Sequence, residues 1–251
     1  QKKSEATHKC PTCWHACGRC ICHIIKPLDF TIDVSFIVYV HYSEYLSGGD
    51  DAKLMQLAAP DRTKLLVYGR EGDDDILLSE VAKNPHGTFL LYPSATAISV
   101  DDFKALQARQ SGTGTLVSSL TLIVLDATWA RTRSMCRHFN KMLKLDIPHI
   151  QLQPTTLSVY ARKQSQPDRI CTLEAISLLL QELGEQQAVC DALVAAVRIN
   201  NSALQAHVKL VAVMEECQRI QDATDEAFGR EPQKRALSTG EGGSGSDHGR
   251  A

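Results

Sequence analysis

Short apolar runs rich in β-branched residues, alternating with stretches of helical periodicity, constrain the fold of this chain more than any other feature. Continuously apolar runs are typical of strands that are buried on both faces of a sheet. Their alternation with helices favours an α/β fold, with a mostly parallel sheet covered by helices on both sides. The predicted strands are Ser35–Val40, Lys64–Tyr68, Thr88–Tyr92, Leu120–Leu125 and Ile147–Leu152.

The fourth predicted strand ends at Asp126-Ala127-Thr128-Trp129, and the sequence then turns helical from Ala130 to Leu145. In open α/β sheets, ligands bind at the edge formed by the carboxyl ends of the strands. An acid, a hydroxyl and an indole at that edge therefore predict part of a ligand site. The alternative is structural: Asp126 or Thr128 caps the helix, and Trp129 fills the core.

The composition is that of an ordinary soluble globular protein and limits the possible functions. The chain has 251 residues, of which 43% are hydrophobic and 22% are charged, and its formal net charge is −2. This charge does not indicate general affinity for nucleic acid, so an RNA contact needs a local basic patch. No apolar run approaches the roughly 20 residues that span a bilayer. No Walker-type loop or Gly-x-Ser-x-Gly elbow follows a predicted strand, which disfavours nucleoside-triphosphate and serine-hydrolase sites.

Five of the nine cysteines lie within residues 10–22, and the other four are scattered. The odd total, without a secretory pattern, argues against a disulfide framework. Cys10-x-x-Cys13 and Cys20-x-Cys22 supply two close thiol pairs, a spacing that favours a structural zinc site with four sulfur ligands. Redox-active thiols and an iron–sulfur cluster are alternative roles. The alternative ligands in this region are Cys17, His8, His15 and His23.

Two loops after predicted strands carry further polar side chains. Tyr92-Pro93-Ser94 ends the third predicted strand, where Pro93 stops the ladder and Ser94 offers a hydroxyl to a ligand. A plain strand-terminating turn explains the same residues. The loop His41-Tyr42-Ser43-Glu44 brings together a histidine and an acid, and a structural histidine is the alternative there.

A third segment, Arg162-Lys163 followed by Asp168 to Ala175, combines cations with the start of a predicted helix. Thr172 or Asp168 is expected to cap this helix, and its first-turn amides form a ready anion site. The nearby cations, which include Arg169, would hold a carboxylate or a phosphate. Glu174 has a simpler alternative role, in which it complements the helix dipole.

The pattern along the chain divides it into three parts. Residues 1–26 are rich in cysteine and turn formers and are predicted to be a zinc-binding segment. Residues 27–224 are predicted to form the α/β domain, with a helical region from Thr172 to about Cys217 that breaks near Gly184. Residues 225–251 lack the apolar surface that offsets the entropy of ordering, and are predicted to be disordered.

Together these segments resemble the DTW-domain family of tRNA-uridine aminocarboxypropyltransferases. Asp126-x-Thr128-Trp129 resembles the signature that gives the family its name, and the paired cysteines resemble its N-terminal zinc motif. Cys171 stands where the family usually has Ser, and residues 47–50 match its polar loop only loosely. The other resembling segments, in family order, are His41-x-x-Glu44, Tyr92-Pro93-Ser94, Arg162-Lys163 and Cys171–Ala175.

The resemblance implies a SPOUT-like fold with a trefoil knot. It also implies that S-adenosylmethionine donates its 3-amino-3-carboxypropyl group to N3 of a tRNA uridine, with methylthioadenosine as the second product. Asp126, Thr128 and Trp129 would be catalytic. Asp126 is the candidate general base for N3, because a partly desolvated carboxylate holds a proton more tightly than one in water. Binding of the donor's amino group is its alternative role.

The resemblance also implies a donor pocket and contacts with RNA, and the sequence favours a cellular location. tRNA is the expected partner, with no membrane and no obligate protein partner, and reduced thiols favour the cytoplasm or nucleus. A non-catalytic zinc-containing RNA-binding or scaffold protein and a knotted RNA methyltransferase are the alternative functions. The pocket residues would be Tyr92, Pro93, Ser94, Asp126, Ala127, Thr172, Leu173 and Glu174. The residues expected to contact RNA or the donor carboxylate are His41, Glu44, Arg162, Lys163 and Arg169.

Overall fold

The computed structural model describes residues 9–111, 119–154, 157–160 and 169–206. Its strands are β1 (Val34–His41), β2 (Thr63–Tyr68), β3 (Thr88–Leu91), β4 (Leu120–Asp126) and β5 (His149–Ile150). They form one sheet in the order β2-β1-β4-β3-β5, and every neighbouring pair is parallel. The predicted parallel α/β sheet is therefore confirmed, although the last strand is only two residues long.

Helices occupy most of the connections between strands. A π-helical turn, Phe139–Leu143, directly follows the helix after β4. Three short 3₁₀ turns span Cys17–Arg19, Ala52–Leu54 and Pro60–Arg62. The helices are α1 (Met55–Ala58), α2 (Asp73–Lys83), α3 (Val100–Ser111), α4 (Trp129–His138), α5 (Thr172–Glu182) and α6 (187–206).

Local sequence signals explain where two of these helices begin. Ser99 caps the start of α3: the Asp102 amide donates to Ser99 Oγ at 3.1 Å, and the Ser99 hydroxyl donates to the Asp102 carboxylate at 2.7 Å. The N-cap of α5 is Cys171, so the expectation that Thr172 or Asp168 caps it is wrong. The physical reason is that Glu174 reaches back to accept from the Cys171 amide at 2.9 Å.

The predicted break near Gly184 is confirmed. Gly184 has a φ of +92°, which is a left-handed conformation that favours glycine and ends α5. The Glu185 carboxylate that follows accepts hydrogen bonds from the Thr31 and Ile32 amides, which precede β1. These hydrogen bonds connect the turn between α5 and α6 to the segment that precedes β1.

Each face of the sheet has its own apolar core. Alternate residues of β1 such as Phe36 and Val38 point to α1, α3, α5 and α6, whereas Ile37 and Tyr39 point to α2 and α4. This alternation follows from the two-residue period of a strand. Burial on both faces explains why the strand sequences are continuously apolar.

The cysteine-rich segment packs against the first of these cores. Cys13, Trp14 and Ile21 are buried in the same cluster as β1, α5 and α6. All the described residues lie in one compact unit, Gln1–Ala206. The division at residues 26 and 224 stays a prediction, and the tail predicted to be disordered lies outside the described residues. In the described part of the chain, no helix combines the length and apolar character needed to cross a membrane.

Candidate active site

A cavity of about 800 Å³ opens at the carboxyl ends of β3 and β4. The loop after β1 forms one wall and the start of α5 forms another, so segments far apart in the sequence meet there. This is the edge at which α/β sheets bind ligands. The residues predicted to be functional that line the cavity are Glu44, Tyr92, Pro93, Asp126, Ala127, Thr128, Trp129, Arg169 and Thr172.

Four other predicted residues are described and do not line this cavity. His41 is buried, with its Nδ1 2.8 Å from Ser43 Oγ, and Ser94 Oγ lies 2.7 Å from His149 Nδ1. Leu173 is fully buried in the core. The Glu174 carboxylate accepts from the Cys171 and Val159 amides. Arg162 and Lys163 lie outside the described residues, so their contacts stay a prediction.

Asp126 connects the end of β4 to the beginning of α5. Its Oδ1 accepts a hydrogen bond of 2.6 Å from the Thr172 hydroxyl. Asp126 is the last residue of a strand whose seven residues are all buried, and α5 begins at Thr172. The strand and the helix therefore fix the carboxylate in the cavity wall, and the positive end of the helix dipole favours its negative charge.

The structure adds two carboxylates that the sequence reasoning missed. Asp50 and Asp51 follow β1, line the cavity and are nearly inaccessible to solvent. Asp51 Oδ2 accepts from the Leu173 amide at 2.7 Å, which satisfies one of the unpaired amides at the start of α5. Burial and the nearby Asp126 carboxylate raise the pKa of Asp51 to about 6. With Asp126, these residues make up an acidic trio in one wall.

The buried cation beside this trio is Lys53, which is fully enclosed. Its ammonium donates to the backbone carbonyls of Ser47, Gly48 and Asp50 and thereby holds their loop in place. It also lies 5.4 Å from the ring centroid of Trp14, in the cysteine-rich segment. Burial lowers the pKa of Lys53, and the neighbouring Asp50 and Asp51 carboxylates oppose that shift.

Asp50 is left with an unsatisfied atom. Its Oδ1 accepts from the Lys53 amide at 3.2 Å, but its buried Oδ2 has no hydrogen-bond partner. Burial, followed by the adjacent Asp126 carboxylate, raises the pKa of Asp50 well above its ordinary value. In the sequence, the signal that could have indicated this site is the consecutive acid pair Asp50-Asp51. The pair lies in a loop without a periodic apolar pattern.

Aromatic and cationic side chains line the cavity near Trp129. The Arg169 guanidinium lies 4.3 Å from the Trp129 ring centroid, which is within cation–π range. The Tyr92 ring is 6.4 Å from Trp129, and Arg133 also lines the cavity. This part of the cavity therefore offers stacking surface together with positive charge.

A basic helix surface extends from the cavity. Residues 127–145 contain five Lys and Arg residues and no Asp or Glu, although the whole chain is slightly acidic. Arg131 pairs with Glu44 at 2.9 Å. Arg133, Arg137 and Lys141 follow one another at four-residue spacing and are all exposed, as is Lys144. We call these four residues the basic stripe, and none of them pairs with a carboxylate in the described part of the chain.

The predicted cysteine ligands come together in the structure. One sulfur atom from each of Cys10, Cys13, Cys20 and Cys22 lies within 4.8 Å of the others. The measured separations are 3.6 Å for Cys10–Cys22 and Cys10–Cys20, and 3.8 Å for Cys13–Cys20. Four sulfurs at 2.3 Å from a tetrahedral zinc ion would lie about 3.8 Å apart. The cluster therefore fits a metal ion such as zinc.

The alternative ligands in this segment point elsewhere. Cys17 and His23 are exposed, and His15 Nε2 lies 2.8 Å from Asn200 Oδ1. His8 lies outside the described residues. A site with four protein ligands has no open position for water, so its chemistry would be structural.

This cavity therefore combines an acidic wall with aromatic and cationic side chains. No curated protein and no solved structure was found to match the chain. The model of the DTW domain matches residues 7–205, which include all five strands, the cavity and the cysteine cluster. The chain therefore belongs to the DTW-domain family, the family of tRNA-uridine aminocarboxypropyltransferases.

Proposed function

We propose that the protein transfers the 3-amino-3-carboxypropyl group of S-adenosylmethionine to N3 of a uridine in tRNA. The observation that carries this proposal is the convergence of Tyr92, Asp126 and Thr172 on one cavity. These residues come from three family-like segments of the sequence, and a merely structural role for each segment would not require them to meet.

The cavity suits the donor in size and chemistry. Its volume of about 800 Å³ is within the range of small-molecule sites. When bound, S-adenosylmethionine supplies a carbon already activated by a sulfonium leaving group, so the protein's task is alignment. Tyr92 and Trp129 would stack on its adenine, and Arg169 or Arg133 would pair with its carboxylate. Its net positive charge complements the acidic trio.

Asp126 is the proposed general base for the uridine. N3 becomes nucleophilic only after it loses its proton, and a positioned base typically accelerates such a step about 10²–10⁴-fold. Asp126 is held at the cavity wall by the Thr172 hydroxyl, which accounts for one of its two oxygens. Its carboxylate also lies within hydrogen-bond reach of Asp50, so in this mechanism the second oxygen accepts the uridine proton when Asp50 is ionised.

The basic stripe is the proposed contact for tRNA phosphates. It begins at Arg133 in the cavity lining and continues along α4 and the π-helical turn. Like charges at four-residue spacing destabilise a helix by a few tenths of a kcal/mol per pair, so an unpaired stripe favours a functional explanation. A phosphate backbone lying along it would bring an adjacent base to the cavity.

Two further features complete the proposal. Zn²⁺ held by the four cysteines would stabilise the N-terminal segment and take no part in the chemistry. A SPOUT-like fold with a trefoil knot is part of the proposal, because the family resemblance implies it. The cytoplasm or nucleus is the proposed location, because no disulfide links the cysteines that the structure describes and reduced cysteines are typical of those compartments.

The test uses purified protein, bulk tRNA and S-adenosylmethionine labelled in the carboxypropyl group. We expect label in uridine with the wild-type protein and a loss of at least about 100-fold with Asp126→Asn. Asn keeps a carbonyl for the Thr172 hydroxyl, so folding and donor binding should persist. Label that enters only from the methyl group would indicate a methyltransferase, and tRNA binding without any label would indicate a non-catalytic binder. Near-normal turnover of Asp126→Asn would remove Asp126 from the mechanism.

A further inference from the structure

The acidic trio contains one oxygen whose role the fold does not explain. Asp126 Oδ1 and Asp51 Oδ2 each accept a hydrogen bond from the start of α5. Asp50 Oδ2 is enclosed in the cavity wall, and no N–H or O–H group of the described residues donates to it. The Asp126 carboxylate lies within hydrogen-bond reach of Asp50, but two ionised carboxylates have no proton to share. Leaving a buried carboxylate oxygen unsatisfied is unfavourable, so such an atom is unusual unless a ligand completes it.

Lys53 does not complete Asp50, although it is the nearest buried cation. Its ammonium has three protons, and the Ser47, Gly48 and Asp50 carbonyls accept hydrogen bonds from it. The carboxylate of Asp50 instead accepts from the Lys53 backbone amide. With three carboxylates and one lysine, this wall keeps an excess of negative charge even when one carboxyl is protonated.

We propose that Asp50 binds the ammonium group at the amino-acid end of S-adenosylmethionine, which leaves Asp126 to accept the uridine proton. This inference rests on the proposed function and deepens it, because it assigns the two candidate roles of Asp126 to two different residues. An ammonium carries three donors and a positive charge, and it therefore satisfies the unpaired oxygen and the excess charge together.

Arg133 and Arg169 line the same cavity as Asp50. The donor's amino-acid end also carries a carboxylate, which these guanidiniums would attract. The cavity thus has an anionic wall for the ammonium and cationic side chains for the carboxylate. This distribution of charge would select a zwitterionic amino-acid end and discriminate against a donor that lacks the amino group.

The structural alternative is that Asp50 stays protonated and donates to Asp126, and Asp50→Asn separates the two possibilities. The Asn side chain is nearly isosteric and keeps an N–H donor for Asp126, so it preserves that structural bond. It loses the negative charge that an ammonium would need. Asp75→Asn on α2 is the matched control, because Asp75 is an exposed aspartate on the opposite face of the sheet.

The experiment measures binding by calorimetry with two ligands: S-adenosylmethionine and its deamino analogue, in which hydrogen replaces the amino group. We expect Asp50→Asn to weaken S-adenosylmethionine binding about tenfold or more and to leave binding of the analogue unchanged. Asp75→Asn should match the wild type with both ligands, and thermal unfolding should show that each variant is folded.

Two results would overturn the inference: unchanged binding of S-adenosylmethionine by Asp50→Asn, or equal weakening of both ligands. If the wild type still transfers the carboxypropyl group in either case, the proposed function stands and only the role of Asp50 is lost. If the wild type binds no S-adenosylmethionine, the proposed function fails and the inference fails with it.

Discussion

At the scale of single residues, Asp51 shows how a buried acidic group makes the stability of the fold depend on pH. Its carboxylate is enclosed, and it caps α5 through the Leu173 amide. Burial and the charge of Asp126 raise its pKa to about 6 in the folded protein, against about 3.9 in an unfolded chain. The folded state therefore binds this proton more tightly, so the stabilising contribution is complete below about pH 4 and is lost as pH rises through 6.

Asp51→Asn removes this titration and keeps an oxygen for the Leu173 amide. We expect the variant to gain stability relative to the wild type as pH rises from about 4 to 7, by on the order of 2 kcal/mol, with half of the change reached at about pH 5, midway between the unfolded and folded pKa values. Urea unfolding across that pH range measures the difference. A pH-independent difference for Asp51→Asn would contradict the explanation.

At the scale of elements, α4 has two different sides. Thr132, Met135 and Phe139 are buried against the sheet along the helix and the turn that follows it. The basic stripe consists of exposed residues and lies on the outer side. The helix thus serves both as a core element and as the proposed RNA contact.

Replacing two cations of the stripe, Arg137→Gln with Lys141→Gln, should weaken tRNA binding and leave S-adenosylmethionine binding unchanged. Each lost phosphate contact should reduce the slope of log K against log salt concentration by about 1. Filter binding at several salt concentrations measures both effects. The matched control replaces Lys104 and Arg109 of α3, which packs on the other face of the sheet. An equal loss in the control would show only that total charge matters.

At the scale of the whole molecule, the cysteine cluster and the sheet share one apolar core. Cys13 and Trp14 are buried in the cluster that includes β1 and α5. If the four thiols hold zinc, we expect Cys13→Ser to lose the metal and about 4 kcal/mol or more of stability in the entire unit, rather than only its first residues. Elemental analysis and urea unfolding test this expectation, with the exposed Cys17→Ser as the control that keeps the metal.

Most of the architecture could be predicted, because its signals are local. Buried parallel strands such as β4 need continuously apolar residues, and Gly184 marks a helix end by its own chemistry. The proximity of Tyr92, Asp126 and Thr172 was expected from the family resemblance, which implies that all three line one donor pocket. The roles of Asp50 and Lys53 could not be predicted in this way. Nothing nearby in the sequence reveals that a lysine is enclosed by carbonyls.

Contacts between distant segments explain most of what was missed. The bond between Asp51 and the Leu173 amide joins residues 122 positions apart, so no local pattern announces it. The replacement of the expected cap by Cys171 has a similar origin, since the Thr172 hydroxyl is already bound to Asp126 across 46 positions. Local propensity determines where the helices and strands form. The site depends on which side chains from distant elements meet and form hydrogen bonds with one another.

The position of Lys53 between Trp14 and the loop that carries Asp50 links two parts of the protein through one side chain. Loosening the cysteine-rich segment would release that lysine and open the apolar core that Trp14 shares with the sheet. If the four thiols hold zinc, loss of the metal should therefore weaken the cavity wall and the fold together.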